Sequence, residues 1–260
     1  MTAEAMALRY YENDKIVRNY GERATLFPAE NVLIEQFGEH IAGKRVLDIG
    51  CGGGRTSARL AAMAKSYVGL DYAAPMVEVC RQRYPALNFV QGDATRLDGF
   101  DDDSVDFVLF SYNGIDTMSH AMRLRVLAAV KRVLTPHGWF AFSSHNRDFA
   151  HLVRGFDRRA GFAPKSLKRN IINVVSYLKV RHLEEVEPDY AILSHPTCGY
   201  CQLNYFITKT AQIEQLHANG FEQITIISWD GRLVTAEEAD SRSTSFYYLC
   251  RSSAVGGPSS

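Results

Sequence analysis

Between Arg45 and His145, short apolar runs alternate with helical patterns, and this alternation is what most constrains the fold. The runs "RVLDIG", "SYVGLD", "LNFVQGD", "SVDFVLFSY" and "WFAFSSH" read as buried strands. Between them lie "RTSARLAAMA", "APMVEVCRQRY" with Pro75 at its start, and the amphipathic "HAMRLRVLAAVKRVL", which the turn "TPHG" stops. Strands alternating with helices build βαβ units, and hence a parallel sheet with helices on both faces. Two helical stretches come first, "EAMALRYYENDKIVRNYGER" and "PAENVLIEQFGEHI". From Asn146 to Thr197 the alternation lapses into two helical stretches and the acidic turn "LEEVEPD", then resumes with "CQLNYFIT", "TAQIEQLHANG", "FEQITIISW" and "SFYYLCR". The expectation is one α/β domain over residues 1–251. It comprises N-terminal helices in 1–44, a helical insertion at 146–197 over the ligand edge of the sheet, and a flexible tail at 252–260.

Composition narrows the partners. The 29 Lys and Arg balance the 29 Asp and Glu, whereas a chain that lives on nucleic acid usually carries a basic surplus. No run approaches the roughly 20 continuous apolar residues of a membrane span. The opening "MTAEAMALRYYENDK" lacks the basic and apolar regions of a signal peptide. The five cysteines form an odd set without framework spacing, which fits a reducing cytoplasm. Cys198 and Cys201 make a C-x-x-C, but no further soft ligands stand at metal spacing, so the pair reads as coincidental and no metal is expected. The expected partner is a small molecule; the oligomeric state is not legible.

In open α/β sheets ligands bind beyond the carboxyl ends of the strands. There, between the first strand and its helix, stand Gly50, Gly52, Gly53 and Gly54. Glycine is required where the backbone turns with positive φ or where a ligand presses on the main chain. The spacing is G-x-G-x-G; Arg55 occupies the place where a dinucleotide fold wants a small residue. Asp71 ends the second strand, where an acid can accept ribose hydroxyls, or cap the next helix. Asp93 ends the third strand, where a carboxylate meets an adenine amino group or simply closes a turn.

These motifs, with "VLDIGCGGG", "VGLDYAAPMV", "FVQGDA", "FDDDSVDFVLFS" and "VKRVLTPHGWFAFS", resemble the class I S-adenosylmethionine-dependent methyltransferases over about Arg45 to Arg251. The resemblance implies a Rossmann-like, doubly wound, seven-stranded sheet whose last strand is antiparallel. It also implies S-adenosyl-L-methionine as cofactor, with S-adenosyl-L-homocysteine as product. By the same resemblance Asp48, Gly50, Gly52 and Gly54 hold the methionine part, and Asp71 the ribose. Tyr72 and Met76 flank the adenine, Asp93 and Ala94 read its edge, and Ser111 offers a backbone carbonyl to the amino group. His137 departs from the pattern, since the family commonly has glycine there.

The acceptor chemistry is less marked. "SYNGIDTMSH" after the fourth strand and "FSSHN" at the end of the fifth bring Tyr112, Asn113 and Asn146 as substrate-binding candidates. They also bring Asp116, His120 and His145 as acid–base candidates, histidine titrating near neutral pH. Asp116 and His120 share a helical face if a helix starts there; otherwise one caps and the other begins it. In a resembling subset of small-molecule methyltransferases the N-terminal helices close over the cofactor, which makes Tyr11 and Tyr20 lid candidates. From Arg147 to His182 nine Lys or Arg residues face two acids, Asp148 and Asp157, which favours an anionic acceptor. The expected activity is methyl transfer to oxygen or nitrogen of a small molecule. The alternatives are an RNA methyltransferase on the same fold and a non-catalytic subunit that holds the cofactor.

Overall fold

A computed structural model describes residues 3–150, 172, 174–194, 200–238 and 241–254. Five parallel strands alternate with helices: β1 (Arg45–Ile49), β2 (Ser66–Asp71), β3 (Asn88–Gln91), β4 (Val105–Phe110) and β5 (Leu134–Asn146). After a stretch outside the described residues come the short β6 (Glu185–Val186), β7 (Tyr190–Ser194), β8 (Leu203–Ile207), β9 (Phe221–Ser228), the short β10 (Leu233–Val234) and β11 (Ser245–Ser252). The central order is β9-β11-β5-β4-β1-β2-β3. β11 runs antiparallel to both β5 and β9, so the expected seven-stranded sheet with an antiparallel last strand is present.

The helices flank the sheet as the apolar patterns require. α1 (Ala3–Tyr11), α2 (Asp14–Gly21), α3 (Pro28–Gln36), α4 (Ser57–Met63), α5 (Ala74–Arg83), α6 (His120–Val133) and α7 (Lys209–Ala218) are the main ones. Val126, Leu127, Val130 and Val133 of α6 pack with Leu216 of α7 on one face, against Phe140 and Phe142 of β5. Leu33 and Ile34 of α3, Leu60 of α4 and Val77 of α5 pack on the other face, against Val46 and Phe107. Among the described residues no helix is long and apolar enough to cross a membrane.

Several expectations are corrected. The first helical stretch is two helices, because the Asn13 side chain accepts the Lys15 N–H and caps a new start. "TPHG" is not a free turn: Leu134 already pairs with Val105, and the register shifts before Trp139 pairs with Phe107. His137 itself adopts φ +67° in that irregularity, the conformation glycine takes more easily. The insertion is not wholly helical. "YAILS" forms β7, which pairs antiparallel with β8, and β8 adds in parallel to the end of β5 through His145↔Phe206 and Asn146↔Ile207. Most of the two expected helices there, residues 151–171, lies outside the described residues, as do Cys198 and residues 255–260 of the tail. Ser252 closes β11, and the Ser253 N–H donates to Gly220 O at 2.9 Å, so the tail is tied down at its start.

Candidate functional site

The carboxyl ends of β1, β2 and β4 open into a cleft of about 1230 Å³, counting the solvent at its mouth. Gly50, Gly52 and Gly54 turn the chain there with φ of +63°, +54° and +77°. A Cβ on Gly50 would stand 2.7 Å from the Phe110 ring. Asp71 Oδ2 accepts the Gly52 N–H at 2.8 Å and Oδ1 accepts the Ala73 N–H at 2.9 Å, so this one carboxylate ties the loop to the start of α5. Burial raises the Asp71 pKa. Asp48 is fully buried at the end of β1, where Thr56 Oγ1 and Tyr67 OH donate to its Oδ2 at 2.7 and 2.9 Å. Burial pushes its carboxyl up to about 6, against the pull of those two hydrogen bonds.

Nine of the ten positions expected to meet the cofactor line this cleft: Asp48, Gly50, Gly52, Asp71, Tyr72, Met76, Asp93, Ala94 and Ser111. Gly54 does not; it faces Tyr84 and Cys80 behind the loop. Met76 is buried and Tyr72 half-exposed. Asp93 Oδ1 accepts both the Thr95 N–H and the Thr95 hydroxyl at 2.8 Å, so it closes its own turn as well. The residues fit S-adenosylmethionine. Left-handed glycines leave space at the main chain, Asp71 and Asp48 supply carboxylates, and Met76 and Ala94 supply an apolar wall.

A second cavity adjoins the first, and Tyr11, Tyr20, Tyr112 and Thr117 line both. Tyr11 and Tyr20 meet edge to face at 5.9 Å, and Tyr20 meets Tyr112 at 6.1 Å. Asn113 and His145 lie on the wall of the second cavity. Asp116 reaches His145 from behind, its Oδ2 2.7 Å from His145 Nδ1. Asp116 is fully buried in the turn Gly114–Thr117, where Arg123 Nη1 and Ser144 Oγ donate to its Oδ1 at 2.5 and 2.8 Å.

Two expectations fail on position. His120 lines neither cavity: its ring stacks on Tyr190 at 4.3 Å, and its Nδ1 lies 2.7 Å from Tyr205 OH. It shares no helix face with Asp116, because the chain extends at Met118 between the Gly114–Thr117 turn and α6. Burial lowers the His120 pKa. Asn146 also lines neither cavity; its Nδ2 donates to Ser243 O at 3.0 Å and its Oδ1 accepts the Asp148 N–H at 3.0 Å.

Other residues at the site carry no separate signal in the sequence. Glu30 of α3 is buried and pairs with Arg55 of the glycine loop, Arg55 Nη2 reaching Glu30 Oε1 at 2.6 Å. Ser111 Oγ donates to the same carboxylate, as does Tyr247 OH at 3.0 Å. Arg55 is the residue that spoils a dinucleotide fingerprint, and this pairing gives it a use. Trp229, Gln202 and Asn204 join the second cavity from strands distant in sequence.

Known proteins agree with the geometry. A family model described as a methyltransferase domain matches residues 46–138. A probable phthiotriol/phenolphthiotriol dimycocerosates methyltransferase 2 of Mycobacterium ulcerans is 40% identical over 159 residues, covering 50% of this chain and 60% of that protein. The demethylmenaquinone methyltransferase of Clavibacter sepedonicus is 34% identical over 184 residues, covering 68% of this chain and 73% of the relative. The CcbJ methyltransferase of Streptomyces caelestis superposes with a TM-score of 0.62 at 17% identity, over 94% of this chain and 98% of that one, and so shares the fold. The chain belongs to the class I S-adenosylmethionine-dependent methyltransferases and is an enzyme that uses S-adenosylmethionine as cofactor.

Proposed function

We propose that this chain methylates an oxygen or nitrogen of a small molecule, with the cofactor in the first cavity and the acceptor in the second. The observation that carries this reading is the shared wall of Tyr11, Tyr20, Tyr112 and Thr117, with the His145–Asp116 pair on the acceptor side. The names of the two relatives give phthiotriol/phenolphthiotriol dimycocerosates and demethylmenaquinone as what those proteins methylate, which supports a small-molecule acceptor. We keep residues 1–251 as one domain. The thiols of Cys51, Cys80 and Cys250 are free and buried, which supports a cytoplasmic setting.

When bound, S-adenosylmethionine supplies a methyl group already activated toward a nucleophile by its sulfonium. The chain's residues then have three tasks. Asp48 and the loop Gly50–Gly54 hold the methionine part. Asp71 takes the ribose hydroxyls, Tyr72 and Met76 flank the adenine, and Asp93 and Ala94 meet its edge, with the Ser111 carbonyl toward the amino group. Tyr11, Tyr20 and Tyr112 exclude water between the cavities and orient the acceptor, an effect that supplies on the order of 7–11 kcal/mol in favourable cases. His145 takes the proton from a hydroxyl acceptor, with the Asp116 carboxylate 2.7 Å from its Nδ1.

Calorimetric titration with S-adenosylhomocysteine, wild type beside Asp71→Ala, tests the cofactor assignment. Low-micromolar binding that the variant weakens at least tenfold supports it. Equal binding by both removes Asp71 from the ribose site.

A further inference from the structure

The second cavity carries a chemical signature of its own. Among the described residues its wall holds no lysine or arginine. Its polar side chains include the amides of Asn113, Gln202 and Asn204. Asn113 is 9% exposed, and its Nδ2 donates to Ser245 Oγ at 2.9 Å, which leaves Oδ1 as a buried oxygen with no donor. Gln202 repeats the pattern: Nε2 faces Asn204 Oδ1 at 3.3 Å, and Oε1 is buried with no donor. Buried carbonyl oxygens are nearly always paired, so two unpaired ones on the wall of one cavity are places for N–H or O–H groups of a ligand. The same wall is aromatic, with Tyr112 and Trp229 6.1 Å apart at 35° and Phe206 5.0 Å from His145. A carboxylate or phosphate would meet carbonyl dipoles here, with no lysine or arginine among the described lining residues to offset its charge.

Resting on the reading of this cavity as the acceptor site, we propose that the acceptor is a neutral aromatic or quinol-like ring with at least two O–H or N–H donors. One donor meets Asn113 Oδ1 and another meets Gln202 Oε1, while the ring lies against Trp229 and Tyr112. This replaces the anionic acceptor favoured by the basic stretch after Asn146, where Arg154, Arg158, Arg159, Lys165, Lys168 and Arg169 lie outside the described residues. Asn113 and Gln202 set specificity for donors, and His145 takes the proton from the hydroxyl that is methylated.

The full chain with S-adenosylhomocysteine is titrated with 2,7-dihydroxynaphthalene, 2-naphthol and 2-naphthoate, followed by ligand-observed NMR. The diol is expected to bind best and the naphthoate worst. Gln202→Met keeps the side chain's length and removes the oxygen. It is expected to weaken the diol by about fivefold to tenfold, the usual worth of one hydrogen bond, and to leave the naphthoate unchanged. Trp229→Ala is expected to weaken every probe. Tighter binding of the naphthoate, a diol affinity untouched by Gln202→Met, or no binding of the diol to wild type would overturn the proposed class. Probes that bind wild type but ignore Trp229→Ala lie elsewhere, and that result removes the acceptor site itself.

Discussion

Asp116 Oδ2 accepts the His145 backbone N–H at 2.6 Å and stands 2.7 Å from His145 Nδ1, so a single carboxylate oxygen holds the chain and lies against the ring that it carries. The other oxygen is bound by Arg123 and Ser144, and Arg123 is in turn held by Gln212 and by Gln215 Oε1 at 3.0 Å. The imidazole on the cavity wall is therefore backed by a polar network running from α6 to α7, in which Asp116, Arg123, Ser144 and Gln212 are fully buried. Both Asp116 oxygens are satisfied in this network, which holds the carboxylate in one geometry behind the imidazole.

His145→Gln is expected to lower kcat for a hydroxyl acceptor by roughly 10²–10⁴, the usual range for losing a general base. The S-adenosylhomocysteine dissociation constant should stay unchanged, because His145 does not line the first cavity. Asp116→Asn should differ in kind. It leaves the Arg123 charge buried without its partner and should cost about 3–5 kcal/mol of stability as well as activity. Steady-state kinetics and urea unfolding on both variants separate the two roles; equal stability loss in both would make His145 a structural residue.

Asp48 gives a pH dependence with a definite sign. Its carboxyl is pushed from 3.8 to about 6 by burial. Between those values the folded chain holds a proton that the unfolded chain has released, so stability falls as pH rises through this window and levels off above it. The penalty is on the order of 3 kcal/mol. Asp48→Asn keeps an oxygen for the Thr56 and Tyr67 hydroxyls and removes the ionisation. Urea unfolding at pH 4.5 and 7.5 should therefore show the variant gaining on wild type at the higher pH. A difference independent of pH would mean that Asp48 does not titrate there.

Glu30 and Arg55 link three parts of the site, since Glu30 also accepts from the Phe27 N–H at 2.8 Å, from Ser111 and from Tyr247. Glu30→Leu strands a buried guanidinium and should cost about 3–5 kcal/mol. The double variant Glu30→Leu/Arg55→Leu removes both charges and should be less destabilised than the sum of the single variants. Thermal and urea unfolding of the four proteins completes the cycle. Additive losses would show that the two side chains do not couple.

The cofactor side of the molecule was legible because its chemistry is local. A strand, a glycine turn and an acid at the next strand end lie within Val46–Asp71, and the sheet brings them together in chain order. The acceptor side was legible only in part. Tyr112 and Asn113 follow β4 and His145 stands near the end of β5, so they could be placed, but Asn204 of β8, Gln202 just before it and Trp229 just after β9 reach the same cavity. Gln202 and Asn204 converge there because β8 joins the end of β5 through two residue pairs that no period in the sequence announces. Arg123 sat unnoticed in an amphipathic helix, where its apolar neighbours masked a buried charge. His120 was misplaced for the opposite reason: a helix-start position promised the cleft, while the β7–β8 hairpin supplied Tyr190 and Tyr205 as partners.

Gly53 decides whether the N-terminal helices rest on the cofactor loop. Gly50, Gly52 and Gly54 take positive φ, and Gly53 does not; its constraint is space. A Cβ there would stand 2.3 Å from the Tyr20 carbonyl oxygen and 2.6 Å from the Gly21 nitrogen, backbone atoms that no rotamer change can move aside. Arg83 Nη1 bridges the same junction, donating to the carbonyls of Gly53, Gly21 and Arg23 at 3.0, 2.9 and 3.0 Å. Gly53→Ala must therefore push the end of α2 off the loop and carry the Tyr20 ring with it, at a cost of about 1–3 kcal/mol typical of overpacking. Arg83→Ala removes the bridge without adding bulk and should loosen the same contact by less. Amide exchange of α2 should rise in both variants, more in Gly53→Ala, with weaker S-adenosylhomocysteine binding in the same order. Unchanged exchange in α2, with or without a change in affinity, would mean that this contact does not hold the helices over the site.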